Sequence, residues 1–263
     1  MRSSLSAGRR ARPRTEHRTI FTPDRTRIAY TLWHRPSKEL VLLAPGFWRV
    51  RLAKENLFLA EHFLRLGYDV AAIDFRGHGD SGGAYTFGPA EREDFLSVVE
   101  DLVGEEKPYS RFAVLGFSLG GSIAADTLAR RPDLPCRALV MICSPEHVGS
   151  LRPRPWKAEA AKQIRLRHVV RVPRISGRRL LAEKPRISRA LATLTIPKLI
   201  VTAEGDWLVD PSHGRTLAQG AAPPVEHVHL ELDGGLHADA LVRWAPLALL
   251  RPLDRWFARH APP

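Results

Sequence analysis

Apolar residues along the chain fall into two alternating patterns. Short unbroken runs occur at "ELVLLAP" (39–45), "YDVAAIDF" (68–75), "RFAVLGF" (111–117), "CRALVMIC" (136–143) and "PKLIVTAE" (197–204). Runs of this length and uniformity suit strands covered on both faces. Between them apolar residues recur at helical spacing. In "RLAKENLFLAEHFLRLG" they are Leu57, Leu59, Ala60, Phe63 and Leu64, with Gly67 in the usual place after a helix end. Further helices are predicted near 90–103 and over "SLGGSIAADTLARR", and one more strand over "VEHVHLEL" (225–232). Two early strands are predicted near 18–22 and 26–32. A final helix from "HADALVRW" onward should break at Pro246 or Pro252. Strands alternating with helices predict an α/β fold, a mostly parallel central sheet with helices on both faces.

One connection breaks the rhythm. From Cys143 to Pro197 runs an excursion far longer than an ordinary loop. Two helix-like segments lie in it, near 156–170 and 177–193, and Trp156, Ala160 and Ile164 share one face of the first. This reads as an inserted helical cap spanning about 145–196. The rest of the chain divides into a basic, disordered tail over 1–17 and a single domain over 18–263. No internal repeat is present.

Charge sharpens that division. The 263 residues carry a formal net charge of +12. Five arginines without an acid in residues 1–14 contribute +5, and residues 151–190 contribute +11, leaving the remainder at −4. The body is mildly acidic and the two attachments are basic. The cap lacks the interleaved aromatics that stack nucleic-acid bases, which argues against a nucleic acid; it reads as a solvated arginine-rich face, with attraction to an anionic lipid surface or to acidic esters as the functional alternative. No apolar run approaches the ~20 residues that span a bilayer. The basic start lacks the apolar segment of a secretory signal, so the cytoplasm is the expected compartment. Cys136 and Cys143 flank one predicted strand. Seven extended residues cover about 23 Å, whereas bridged Cα atoms lie roughly 4.4–6.8 Å apart, so the two should not be joined.

Candidate chemistry centres on "LGFSLGGS" (115–122). G-x-S-x-G is a weak signal alone, but here Ser118 stands where a buried strand meets a helix, the context the motif requires. The turn is so sharp that Gly116 and Gly120 leave room where a Cβ would not fit. A serine hydroxyl needs a base, itself held by an acid. Asp206 lies just past the strand "PKLIVTA" and His237 just before the last helix. The order Ser, Asp, His is one of the three known chain orders of such a triad.

With "VLLAPGF", "DFRGHGDSGG", "LGFSLGG", "GDWLVDP" and "GGLH" in this order, the chain resembles the α/β-hydrolase superfamily over about residues 18–260. It is most similar to the esterase, monoacylglycerol-lipase and serine-aminopeptidase-like branch with a small helical cap. The resemblance implies an α/β-hydrolase fold, Ser118 as nucleophile, His237 as base, Asp206 as acid, and an oxyanion hole from the backbone N–H groups of Phe47 and Leu119. Relatives often carry His-Gly where this chain has Pro45-Gly46, a change that removes the N–H of residue 45 and not that of Phe47. Asp210 and Glu146 are alternative acids. Trp48 and Trp207 adjoin the oxyanion and acid loops and, with Leu236, are candidate walls of the acyl pocket. In the family the loop holding His78 is structural. His227 and His229 share one strand face and read as core or surface histidines; no Cys/His spacing suggests a metal, and no cofactor is expected. The expected function is a serine hydrolase acting on a small-molecule carboxylic ester. Thioesterase, acyltransferase and peptidase chemistry would use the same residues, and a binding protein built on the basic cap is the reading from another class.

Overall fold

A computed structural model describes residues 13–35, 37–156, 173–177 and 183–263. Residues 1–12 of the predicted tail, most of the first predicted cap helix and part of the second lie outside them. Eight strands form one sheet: β1 (Arg14–Phe21), β2 (Arg27–His34), β3 (Glu39–Ala44), β4 (Asp69–Asp74), β5 (Arg111–Phe117), β6 (Cys136–Ile142), β7 (Lys198–Ala203) and β8 (Val225–Leu230). Their spatial order is β1-β2-β4-β3-β5-β6-β7-β8. β2 runs antiparallel to both its neighbours, and every pairing from β4 through β8 is parallel. The helices are α1 (Lys54–Leu66), α2 (Glu91–Leu102), α3 (Leu119–Arg130), α4 (Ile187–Thr193), α5 (Ser212–Gly220), α6 (Ala240–Trp244) and α7 (Pro246–His260). The fold is that of the α/β-hydrolases.

The unbroken apolar runs arise because the sheet is covered on both sides. Successive side chains of a strand point to opposite faces. In β3, Leu40 and Leu42 join a core with Phe95 and Val98 of α2 and Ile123 of α3, while Val41 and Leu43 join a second core with Phe63 of α1 and Trp256 of α7. The strands from β3 to β7 feed both cores, so apolar residues occupy both parities. Parallel pairing also brings the carboxyl ends of β3 through β8 to one edge, where open α/β sheets bind ligands.

One boundary differs from expectation, and one settles between the two that were expected. β1 begins at Arg14, so residues 14–17 belong to the sheet and not to the tail. It is an edge strand whose polar side chains alternate between exposed and half-buried positions. Its order comes from the ladder to β2 and from Glu16, which accepts from Arg18 at 2.6 Å and meets His34 at 2.9 Å, so hydrophobicity does not reveal it. The final helical stretch breaks at Ala245, with Pro246 opening α7, whereas Pro252 sits inside that helix without ending it. Proline at a first helical position costs no hydrogen bond.

Cys136 and Cys143 are both free, at opposite ends of β6. The chain leaves the sheet at Ile142 and re-enters at Lys198. On its way back, residues 174–176 lie along the glycine-rich loop. Arg174 donates its backbone N–H to Gly77 at 3.0 Å, Tyr85 donates to Arg174 at 2.7 Å, and Ser176 donates to Tyr85 at 2.9 Å. Six of the thirteen basic residues of 151–190 are described. Four of them are engaged by the body: Arg154 with Asp210, Arg174 with the Ser81 carbonyl, Lys184 with the Thr86 carbonyl and Arg186 with Glu146. Among the described residues, no helix is long and apolar enough to cross a membrane.

Candidate active site

Ser118 closes β5 and opens α3 with φ 50° and ψ −126°, a conformation that β-carbon-bearing residues rarely hold without support. That support is steric. A Cβ at Gly120 would stand 2.1 Å from the Ala44 carbonyl oxygen, and one at Gly116 would stand 2.3 Å from the Gly121 Cα. The backbones therefore approach so closely that the turn closes only with glycine at both places. The Ser118 N–H donates to the Ile142 carbonyl at 2.8 Å, pinning the elbow to β6.

The loops after β7 and β8 bring the partners. Asp206 and His237 are buried, 1 % and 2 % exposed. Asp206 Oδ1 accepts the backbone N–H groups of Leu208 at 2.8 Å and Val209 at 3.1 Å. This fixes the carboxylate and turns Oδ2 toward His237 Nδ1, 2.8 Å away. Because a carboxylate only accepts, Nδ1 carries the proton and donates it. The opposite ring nitrogen, Nε2, then accepts the Ser118 hydroxyl at 3.1 Å. The two alternative acids are engaged elsewhere. Asp210 pairs with Arg154, and Glu146 accepts from Ser188 at 2.8 Å and faces Arg186 at 3.6 Å.

Leu119 directly follows Ser118 in the chain, and Phe47 follows Gly46. Leu119 is the first residue of α3, whose N-terminal N–H groups favour negative charge. The 45–47 segment passes beside Ser118: a Cβ at Gly46 would stand 3.0 Å from the Ser118 Cβ. Pro45 thus leaves the path of this loop intact. The loop is held by a histidine whose part the sequence did not show. The Trp48 backbone N–H donates to His78 Nε2 at 3.0 Å, and His78 Nδ1, the ring's donor, reaches the Arg76 carbonyl at 3.1 Å. Its ring meets Phe47 and Tyr85 edge-on, at 5.4 and 4.8 Å between centroids. Burial lowers its pKa to about 4, so the imidazole is neutral at pH 7 and Nε2 is free to accept.

A depressed histidine pKa destabilises the fold as pH falls, because the unfolded chain takes up the proton first. The loss begins near the unfolded value of ~6.5, grows to roughly 3 kcal/mol by about pH 4, and levels off once the folded form is protonated. Denaturant melts of wild type and His78→Gln across pH 4–8 test this. The variant should lose less stability over that window, and equal slopes would show that His78 is not the group responsible.

Ion pairs and main-chain bonds tie the glycine-rich loop around His78 to the rest of the body. Arg76 pairs with Asp94 at 2.7 Å, Arg51 pairs with Asp74, and Asp74 also accepts the Asp80 N–H at 3.0 Å. Trp207 is buried with its ring edge-on to His237 at 6.2 Å. Trp48 stacks on Phe47 at 5.0 Å, and Leu236 packs against the core under α6 and α7. None of these three lines the narrow apolar crevice at the first turns of α3, which has a volume of about 20 Å³ and walls that include Phe87, Leu119, Ile123, Val148 and Ile187. Cys143 is another neighbour that sequence reasoning passed over. Its Sγ, Asp206 and His237 all offer ligand atoms within 4.8 Å of one another. Burial, then the Asp206 carboxylate, push the Cys143 thiol well above its ordinary range, so it stays protonated. Asp206 and His237 are already joined to each other, and the geometry is that of a hydrogen-bonded relay. His227 and His229 do share a strand face, where both meet Thr202 Oγ1 at 3.0 and 2.9 Å.

A sheet of this order, with a serine elbow, a histidine and a carboxylate at its carboxyl edge, defines an α/β-hydrolase of the esterase and lipase-like kind. The family model described as serine aminopeptidase, S33, matches residues 35–175, and the chain belongs to that family. It is 27% identical to a monoacylglycerol lipase of Mycolicibacterium smegmatis over 89% of this chain and 94% of that one. It is 30% identical to protein ABHD8 of Mus musculus over 51% of this chain and 29% of that protein. Among solved structures it is similar to an esterase of Pyrococcus furiosus, with a TM-score of 0.74, 20% identity, and coverage of 94% of this chain and 91% of that one.

Proposed function

We propose that the protein hydrolyses a carboxylic ester through an acyl-enzyme formed on Ser118. The observation that carries this reading is the unbroken relay Ser118–His237–Asp206, at 3.1 and 2.8 Å, behind a serine held in an elbow. In the first half-reaction Ser118 Oγ adds to the ester carbonyl while His237 Nε2 takes its proton. Asp206 holds the tautomer and stabilises the imidazolium. Charge developing on the carbonyl oxygen is met by the N–H groups of Phe47 and Leu119, with the N-terminus of α3 behind the second. The C–O bond then breaks, and the departing alcohol takes the proton from His237. In the second half, water adds to the acyl carbonyl as His237 takes a proton from it. The carboxylic acid leaves and Ser118 recovers its hydrogen.

Esters are favoured over thioesters and amides by the names of the lipase and the esterase to which the chain is similar. The test is labelling by a fluorophosphonate probe, with turnover of matched p-nitrophenyl esters, acyl thioesters and aminoacyl amides. Labelling with preferential ester turnover is expected. Labelling with turnover of the thioester or amide alone would replace the ester by that substrate, and neither labelling nor turnover would leave an idle scaffold.

A further inference from the structure

Two residues of the active-site loops hold a backbone that side chains with a β-carbon rarely adopt. Trp48, directly after Phe47, has φ 66°, and Ala238, directly after His237, has φ 49°. Such conformations persist only where the surroundings hold them. Part of the support is local: Arg49 donates its N–H to the Gly46 carbonyl at 3.1 Å, and Ala240 donates to the His237 carbonyl at 3.0 Å. The rest joins the two loops. The residues that follow the strained positions are Arg49 and Asp239, and Arg49 Nη2 donates to Asp239 Oδ2 in an ion pair. Both side chains are largely buried, 18% and 8% exposed, so salt and water screen the attraction little. Arg49 Nε is also buried and has no partner among the described residues. Glu55 of α1 borders the same small space without pairing with Arg49. The Trp48 N–H to His78 and the pairing of Arg51 with Asp74 fasten this segment toward the glycine-rich loop. Arg49 reaches the other way, to the stretch between β8 and α6 that carries His237.

We propose that Arg49 and Asp239 are positioning residues for the reaction, a clasp that keeps the oxyanion loop and the general base in register with each other. This rests on the ester-hydrolase reading and deepens it. In that reaction charge develops at two places together, on the carbonyl oxygen met by the Phe47 N–H and on the His237 imidazolium. Both groups serve one carbonyl carbon, so a shift of either loop against the other misplaces a donor or a base. Each residue of the clasp acts through the neighbour two positions before it: Arg49 through Phe47, Asp239 through His237. An arginine suits the task because its charge is permanent and a charge-assisted hydrogen bond is stronger than a neutral one.

The experiment is a double-mutant cycle on Arg49→Met, Asp239→Ala and the pair together, with Glu55→Gln as the neighbouring control. Arg49→Gln and Asp239→Asn replace the truncations if those do not fold. With p-nitrophenyl butyrate, each single variant should lose about 10²-fold in kcat, the scale of a small misplacement of reacting groups, with KM little changed. The double variant should be no worse than either single one, because both remove the same contact, and Glu55→Gln should match wild type. An alkyl trifluoromethyl ketone, which adds Ser118 and places an oxyanion where the ester would, should bind more weakly by the same factor as kcat falls. Hydrogen exchange needs no substrate. In either single variant it should quicken over both 46–50 and 236–241, so a wild type that cleaves no ester sinks the hydrolase reading while the clasp is still judged by exchange. Folded single variants with wild-type kcat and ketone affinity would overturn the proposal. So would losses that add in the double variant, or exchange that quickens in one segment alone.

Discussion

Ser118→Ala should lower ester turnover by roughly 10⁴- to 10⁶-fold while leaving the thermal midpoint within a few degrees of wild type. Losing the nucleophile of a triad disables the whole relay, so the cost resembles losing all three members together. What remains is the modest catalysis from the backbone N–H groups and from substrate binding. The fold should survive because the elbow is held by contacts that alanine keeps: the Ser118 N–H to Ile142, and glycine at 116 and 120. Only the hydroxyl's bond to His237 is lost. Steady-state kinetics, fluorophosphonate labelling and calorimetry of both proteins read the result. Labelling that persists in the variant would place the nucleophile elsewhere.

Asp206→Asn should cost about 10⁴ in kcat, as the equivalent change does in a serine protease. An asparagine can keep the two backbone bonds from Leu208 and Val209 through its oxygen. Its amide group then faces His237 Nδ1, where a carboxylate stood. Donor meets donor unless the imidazole moves its proton to Nε2, and a protonated Nε2 cannot accept from Ser118. Asp210→Asn and Glu146→Gln should stay within a few fold of wild type, because those carboxylates serve Arg154, Ser188 and Arg186. Parallel kinetics on the three variants decide the matter. A near-normal Asp206→Asn would show that another group holds the histidine.

The parallel half of the fold was legible because burial on both faces leaves uniform apolar runs, and because each run ends in a residue that the sheet edge needs. Ser118 directly follows such a run and Asp206 lies three residues past another, whereas His237 stands seven residues beyond the partly exposed β8 and was picked out by its place before the last helix. β1 was only partly legible: a solvated edge strand is stabilised by its ladder and by polar contacts, which leave no hydrophobic signature. The same reasoning explains His78 and Cys143. A buried imidazole accepting one backbone N–H, or a thiol beside a carboxylate, depends on contacts between segments thirty or more residues apart. No local spacing encodes them. The crevice walls were missed for a related reason. Phe87, Val148 and Ile187 come from three separate segments and meet only in the fold, along one side of the crevice with α3 residues Leu119 and Ile123, whereas Trp48 and Trp207 drew attention by standing next to motif residues.

The way residues 174–176 are fastened bears on how this chain can change over time. All three bonds joining that segment to Gly77 and Tyr85 run between main-chain atoms, so they are blind to which side chains it carries. The excursion can drift in sequence, or be exchanged for a foreign one, without losing its tether to the loop that carries His78. What the attachment demands is an extended run of three residues with an N–H at its first and third positions. Proline at either place would remove a donor, so divergence there is open to every other residue type that tolerates an extended backbone.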